Sequence, residues 1–136
     1  MAGYSGTPLP QKLGIKEGAI VAVLNQPDGF LASLGLLPAG VRIVHDLRGH
    51  RDVAVAFFTA RSALEQRLAA LTKAIFPDGG LWISWPKKAS KMPTDITEDV
   101  VRAVALPTGL VDNKVCAIDD VWSGLRLVVR VENRRR

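Results

Sequence analysis

The sequence has a single cysteine, Cys116, so no internal disulfide can form. Sparing use of thiols is what a reducing cytoplasm permits, and no zinc site can rest on one cysteine. Long hydrophobic runs are missing too, since no uninterrupted apolar stretch approaches the ~20 residues that span a bilayer. The opening residues, MAGYSGTPLPQKLG, lack the basic start and apolar block of a secretory leader. A cytoplasmic protein without a membrane partner is expected. Histidine is scarce, with His45 beside Asp46 and His50 beside Arg51 and Asp52. A histidine pair without a clustered third ligand argues for surface structure rather than a metal centre. No serine or cysteine has the surroundings of a nucleophile, so the residues themselves assign no catalytic group and no metal.

What is present fits one globular domain. The chain has 136 residues, of which 48% are hydrophobic and 23% charged, far from the composition of disorder. A chain of this length has room for one core. The net charge is +5, but Arg130, Arg134, Arg135 and Arg136 against Glu132 supply +3 of it. A single domain over 1–131 with a basic tail over 132–136, most simply a solvated end, follows.

The chain is organised around AIFPDGGLWISWPKKASK, residues 74–91. Pro77, Asp78, Gly79 and Gly80 predict a turn, because proline disfavours continued helix and glycine accepts tight reversals. Leu81 to Trp85 is short, rich in β-formers and uncharged, as a strand covered on both faces should be. Pro86 then ends ladder pairing, and Lys87, Lys88 and Lys91 place three positive charges just past the strand.

Upstream, Thr7 and Pro8 predict the cap and first position of a short helix ending at Gly14. Ala19 to Leu24 reads as a buried strand, Phe30 to Leu37 as a helix, and Val41 to Val44 as a second strand. Val53 to Phe58 reads as a third strand. Ser62 and Glu65 have capping-box spacing for a helix to about Phe76, with Leu64, Leu68, Leu71 and Ile75 on one stripe. Thr94 or Asp95, with Glu98, predicts the cap of a further helix bearing Ile96, Val100, Val101 and Val104. Leu110 to Ile118 and Val121 to Val131, separated by Asp119 and Asp120, read as a hairpin. The alternation predicts a three-layer α/β, Rossmann-like fold, mostly parallel, with a C-terminal antiparallel hairpin.

This order of elements resembles a shortened class I methyltransferase fold. LGIKEGAIVAVLN (13–25) resembles the entry into its first strand, and IFPDGGLWISW (75–85) its turn of proline and paired glycines before a strand. Nearly end to end, the chain also resembles a family of small uncharacterised bacterial proteins, a domain of unknown function. GYSGTPL, WPKKAS, PTDITEDVVR and GLVDNKVCAID carry that resemblance. The methyltransferase resemblance implies S-adenosylmethionine on a glycine-rich loop after the first strand. Here that loop is NQPDG, with Gly29 alone, and Pro27 lacks an N–H. Asp46, 21 positions after Asn25, stands where an acid could meet ribose hydroxyls.

Ligands of open α/β sheets sit outside the carboxyl ends of the strands. Lys87, Lys88, Lys91, Ser84 and Trp85 are therefore expected to form a binding surface with Asn25, Asp46 and Thr59, the indole offering a stacking face. With the cofactor loop short of glycines, the expected function is a non-catalytic, methyltransferase-like module without a cofactor, binding an anionic small molecule or a protein partner. The alternative is a small divergent S-adenosylmethionine-dependent methyltransferase. Weak nucleic-acid binding through the lysine loop and arginine tail is third.

Overall fold

The structure, a computed structural model, describes residues 6–135. The start of the GYSGTPL stretch and the last arginine of the tail, Arg136, lie outside them. Six strands form one sheet: β1 (Ile20–Leu24), β2 (Arg42–Val44), β3 (Val53–Phe57), β4 (Gly80–Pro86), β5 (Leu110–Ala117) and β6 (Trp122–Val129). Their order is β2-β1-β3-β4-β6-β5. The first four are mutually parallel, and β6 runs antiparallel to both β4 and β5. The expected hairpin therefore forms with its second strand inside, so β5 is the outer edge.

Strand alternation divides the core between two faces. Ala22, Ala54, Ala56, Leu81, Ile83, Leu125 and Leu127 point towards α3 (Arg61–Ile75) and α4 (Glu98–Ala105). Val21, Val23, Val55, Phe57 and Trp82 point the other way, towards Leu13, Phe30 and Leu34. Three small alanines on the α3 face let that helix lie close, and its Leu64, Leu68, Leu71 and Ile75 are all buried as the sequence predicts. The second face has thinner cover: α1 (Leu9–Lys12) and α2 (Phe30–Ser33) are single turns. The expected helix from Phe30 to Leu37 stops early because Gly35 turns the backbone left-handed at φ 67°. Trp82 compensates across this face by donating from Nε1 to the Leu13 carbonyl, 3.0 Å away.

The helix starts differ from the sequence expectation. Ala60, rather than a Ser62 capping box, precedes α3, and the α3 N-terminus takes its acceptor from Asp95, whose Oδ1 lies 2.7 Å from the Arg61 N–H. Glu65 pairs instead with Arg61. The cap of α4 is Thr97, which accepts from the Val100 N–H, while Thr94 donates to the Thr59 carbonyl and Glu98 pairs with Arg102. At α1 the cap position is Pro8 rather than Thr7. A side-chain cap is worth about 0.5–2 kcal/mol. Asp95→Ala should therefore lower stability in urea unfolding by about 1 kcal/mol, whereas exposed Ser62→Ala should stay within about 0.5 kcal/mol.

The described part of the basic tail is mostly exposed and leaves β6 through a short turn. Val131–Asn133 forms a 3-10 turn, and Arg134 Nε donates to the Val129 carbonyl at 2.9 Å. Cys116 is half-buried in β5, and burial pushes its thiol pKa up despite nearby Lys12 and Lys114. An unreactive thiol is what that environment produces. No helix among the described residues is long and apolar enough to cross a membrane.

Candidate functional site

Because β2, β1, β3 and β4 are parallel neighbours, their carboxyl ends fall on one edge. Asn25 follows β1, His45 and Asp46 follow β2, Thr59 follows β3, and Lys87 follows β4. Asn25 at φ 59° and Lys91 at φ 61° are the non-glycine residues with left-handed backbone among those described, and both belong to loops leaving this edge. Such conformations cost free energy and concentrate where loops are shaped for a task.

The lysine loop folds back over part of the edge. From Lys87, whose N–H bonds the Val121 carbonyl, the chain makes a 3-10 turn at Lys88–Ser90. Ser90 Oγ donates to the Lys87 carbonyl and accepts from the Met92 N–H, so this serine holds the loop. Thr94 and the Asp95 N–H then close on the Thr59 carbonyl. The loop after β4 is thus pinned to the loop after β3. Among the described residues, no hydrogen bond or ion pair joins Lys87, Lys88 or Lys91 to Asn25 or Asp46.

Two sequence candidates leave the surface. Ser84 is fully buried, its Oγ packed near Gly124 without a hydrogen-bond partner, and Trp85 is 6% exposed within the α3-side core. Period-two alternation along β4 sends both side chains inward, on opposite faces. Neither offers a ligand a contact from this edge, and Trp85 presents no indole stacking face there. Asn25, Thr59, Lys88 and Lys91 are exposed, and Asp46 and Lys87 are half-buried.

Asp46 is already engaged. Its Oδ1 accepts from the Arg48 N–H at 3.1 Å and from the Arg51 guanidinium, and these two hydrogen bonds, the backbone one first, hold its carboxyl below the usual range. A depressed folded-state pKa means that the interaction is complete at neutral pH and is lost as pH falls through that value. Both contacts use one oxygen, so Oδ2 keeps its lone pairs, on a side chain 46% exposed. Beside it, His45 Nδ1 lies 2.8 Å from the Val23 carbonyl. A carbonyl can only accept, so Nδ1 carries the proton, and in the neutral imidazole it is Nε2 that carries the lone pair. The adjacency of His45 and Asp46 was visible in the sequence, but the fixed tautomer was not, because its partner lies 22 positions away. Among the described residues, no group of three or more His, Cys, Asp or Glu side chains could hold a metal ion.

The residues present fit an adenosyl cofactor in part. The exposed Oδ2 of Asp46 is an acceptor suited to a diol, and left-handed Asn25 and Gly29 bracket a loop with N–H donors at Gln26, Asp28 and Gly29. Pro27 takes one donor out of that loop.

No family model and no curated protein matches the chain. Solved structures do. The chain is similar to a SAM dependent methyltransferase from Aquifex aeolicus, with 16% identity over 88% of this chain and 87% of that one, TM-score 0.59. It is similar to fibrillarin from Aeropyrum pernix with natively bound S-adenosyl-L-methionine, with 14% identity over 93% of this chain and 71% of that one, TM-score 0.57. It is also similar to the magnesium protoporphyrin IX methyltransferase of Synechocystis with bound S-adenosylhomocysteine, with 12% identity over 83% and 75%, TM-score 0.52. At these identities the likeness is one of fold: a Rossmann-like, class I methyltransferase α/β sheet with an antiparallel C-terminal pair.

Proposed function

We propose that this chain is a small divergent S-adenosylmethionine-dependent methyltransferase, with the cofactor at the carboxyl ends of β1 and β2. The observation that carries this reading is Asp46, set at the end of β2 with Oδ1 clamped by Arg48 and Arg51 and Oδ2 left to accept. The fold neighbours that bind S-adenosylmethionine or S-adenosylhomocysteine support it. When bound, the cofactor supplies an electrophilic methyl group. Asp46 Oδ2 would accept from ribose hydroxyls, and the backbone N–H groups of Gln26, Asp28 and Gly29 would meet the remaining polar atoms. His45, whose neutral imidazole would present the Nε2 lone pair while Nδ1 is held by the Val23 carbonyl, would take up the proton that an acceptor hydroxyl or amine releases. Lys87, Lys88 and Lys91 favour an acceptor with negative charge. Cytoplasmic location belongs to the same reading.

Calorimetry and thermal shift with S-adenosylmethionine test it. The expected result is saturable binding, with stabilisation of about 2.7 kcal/mol at 100 times the dissociation constant. Asp46→Ala should weaken binding at least tenfold, while Lys87→Ala with Lys88→Ala leaves it unchanged. No shift at millimolar cofactor would sink the proposal. That result would promote the second reading, a non-catalytic module for an anionic ligand or a protein partner. One specific observation favours it: the loop after β1 has a proline in place of a donor and a lone glycine at 29.

A further inference from the structure

We propose that the opposite, amino-terminal edge of the sheet carries a second site, which takes a compact oligophosphate or phosphorylated small molecule between Lys12, Lys16, Lys114 and Arg126. These four cations, with Gly14 and Asn113, line a cavity of about 430 Å³ that contains no carboxylate. Among the described residues, none of the four has an acidic partner, whereas Arg51, Arg61 and Arg102 all do. Arg126 is half-buried in β6, and its guanidinium lies so close over Gly80 that a Cβ there would approach Nε and Nη2 to 2.7 Å. Burial first, and the charge of Arg134 second, depress its pKa. A guanidinium has five donors, and drawing it out of water without an acceptor is unfavourable.

The β5–β6 pairing makes this costlier still. Leu110, Val111 and Asp112 pair with Val129, Val128 and Leu127, but the next partner of Arg126 is Lys114, so Asn113 is an extra residue in β5. That bulge places Lys114 directly across from Arg126, and like charges facing each other across strands destabilise a sheet. Without it Lys114 would fall opposite Leu125, on the other face. Two local rules are therefore broken at one spot, charge pairing and strand register, and the product of both is a concentrated positive concavity. Such violations are expected where function requires them.

A multiply charged anion satisfies everything left open. The arginine fork can take two oxygens of one phosphate, and the lysines act as point charges around the others. The volume lies within the range of small-molecule pockets rather than that of a groove for a duplex. An adjoining cleft of about 450 Å³ shares Gly14, Lys16 and Arg126 and is bordered by Glu17, Asp52 and Asp78, so the part of a ligand reaching into it carries donors. Sequence reading had no signal for this site, since its residues come from positions 12, 16, 114 and 126.

The test is calorimetry of the full chain with inorganic tripolyphosphate at low salt. One-site, saturable binding is expected. Arg126→Met should weaken it at least tenfold and raise the melting temperature of the ligand-free protein, because the unpaired cation is gone. Lys12→Ala with Lys114→Ala should weaken it by a similar factor and carries the test if Arg126→Met does not fold. Lys87→Ala with Lys88→Ala should leave tripolyphosphate binding unchanged, which separates this site from the carboxyl edge. Absence of saturable binding, or loss of it through Lys87 and Lys88, would overturn the proposal. So would tighter binding of a single-stranded RNA oligonucleotide than of tripolyphosphate through the same four residues, which would make the patch a nucleic-acid surface.

Discussion

Phe57→Ala should lower stability by about 3–5 kcal/mol, the loss typical of truncating a fully buried aromatic. Phe57 ends β3 at 2% exposure and lies at the centre of the second core face. Its ring meets Phe30 edge-on with centroids 4.9 Å apart and Trp122 edge-on at 5.2 Å. Each such pair adds about 0.5–1.5 kcal/mol beyond area burial. The cover on this face consists of single-turn helices and loops, which close poorly around a cavity because Phe30 itself depends on Phe57 for its position. A domain is stable by only about 5–15 kcal/mol, so the variant should lose a large share of it. Equilibrium urea unfolding measures this, and a cost below about 1.5 kcal/mol, the range of volume-conserving swaps, would show that the Phe30 and Trp122 contacts are dispensable.

Gly79→Ala should be nearly as harmful for the opposite reason, since it adds an atom where none fits. A Cβ on Gly79 would lie 2.5 Å from the Arg51 carbonyl oxygen, 2.9 Å from that of Ile75 and 3.1 Å from that of Asp52. All three are backbone atoms, so no side chain can swing away. The surroundings are also fixed by hydrogen bonds: Gly79 N–H to the Ile75 carbonyl at 2.7 Å, Gly80 N–H to that of Asp52 at 3.0 Å, and Arg51 N–H to that of Ala74 at 2.7 Å. The end of α3, the entry to β3 and the start of β4 meet there, and relief of the clash requires separating them. Overpacking costs about 1–3 kcal/mol and sometimes more, and this site belongs at the upper end. Gly29→Ala is the useful comparison, because its surroundings are open and only its left-handed backbone at φ 85° resists the substitution. The shift in urea midpoint should be clearly larger at position 79 than at position 29.

Much of this architecture is written in short stretches of sequence. Apolar runs at 20–24, 53–57 and 81–85, the last interrupted by Ser84, are strands buried on both faces. The spacing of Leu64, Leu68, Leu71 and Ile75 sets the buried stripe of α3, and the proline and glycines at 77–80 set the turn before β4. With strands and helices in this alternation, parallel order and a common carboxyl edge follow, and with them the neighbourhood of Asn25, Asp46, Thr59 and Lys87. Periodicity and turn chemistry act over a few residues, so a single chain suffices to read them.

What depends on distant partners was decided by the tertiary structure. Asp95 caps a helix that begins 34 residues earlier, and the Ser62 box goes unused because the helix starts at Arg61, which leaves Ser62 inside the first turn rather than at the cap. Ser84 and Trp85 were expected at a binding surface from their place near the end of β4, but with both faces of that strand covered their side chains pack inward. The insertion of β6 between β4 and β5 sets Arg126 over Gly80, and one added residue at Asn113 turns Lys114 towards it. Charge and register at such a place come from strands far apart in sequence, and only their packing shows that four cations share one cavity without an acid to balance them.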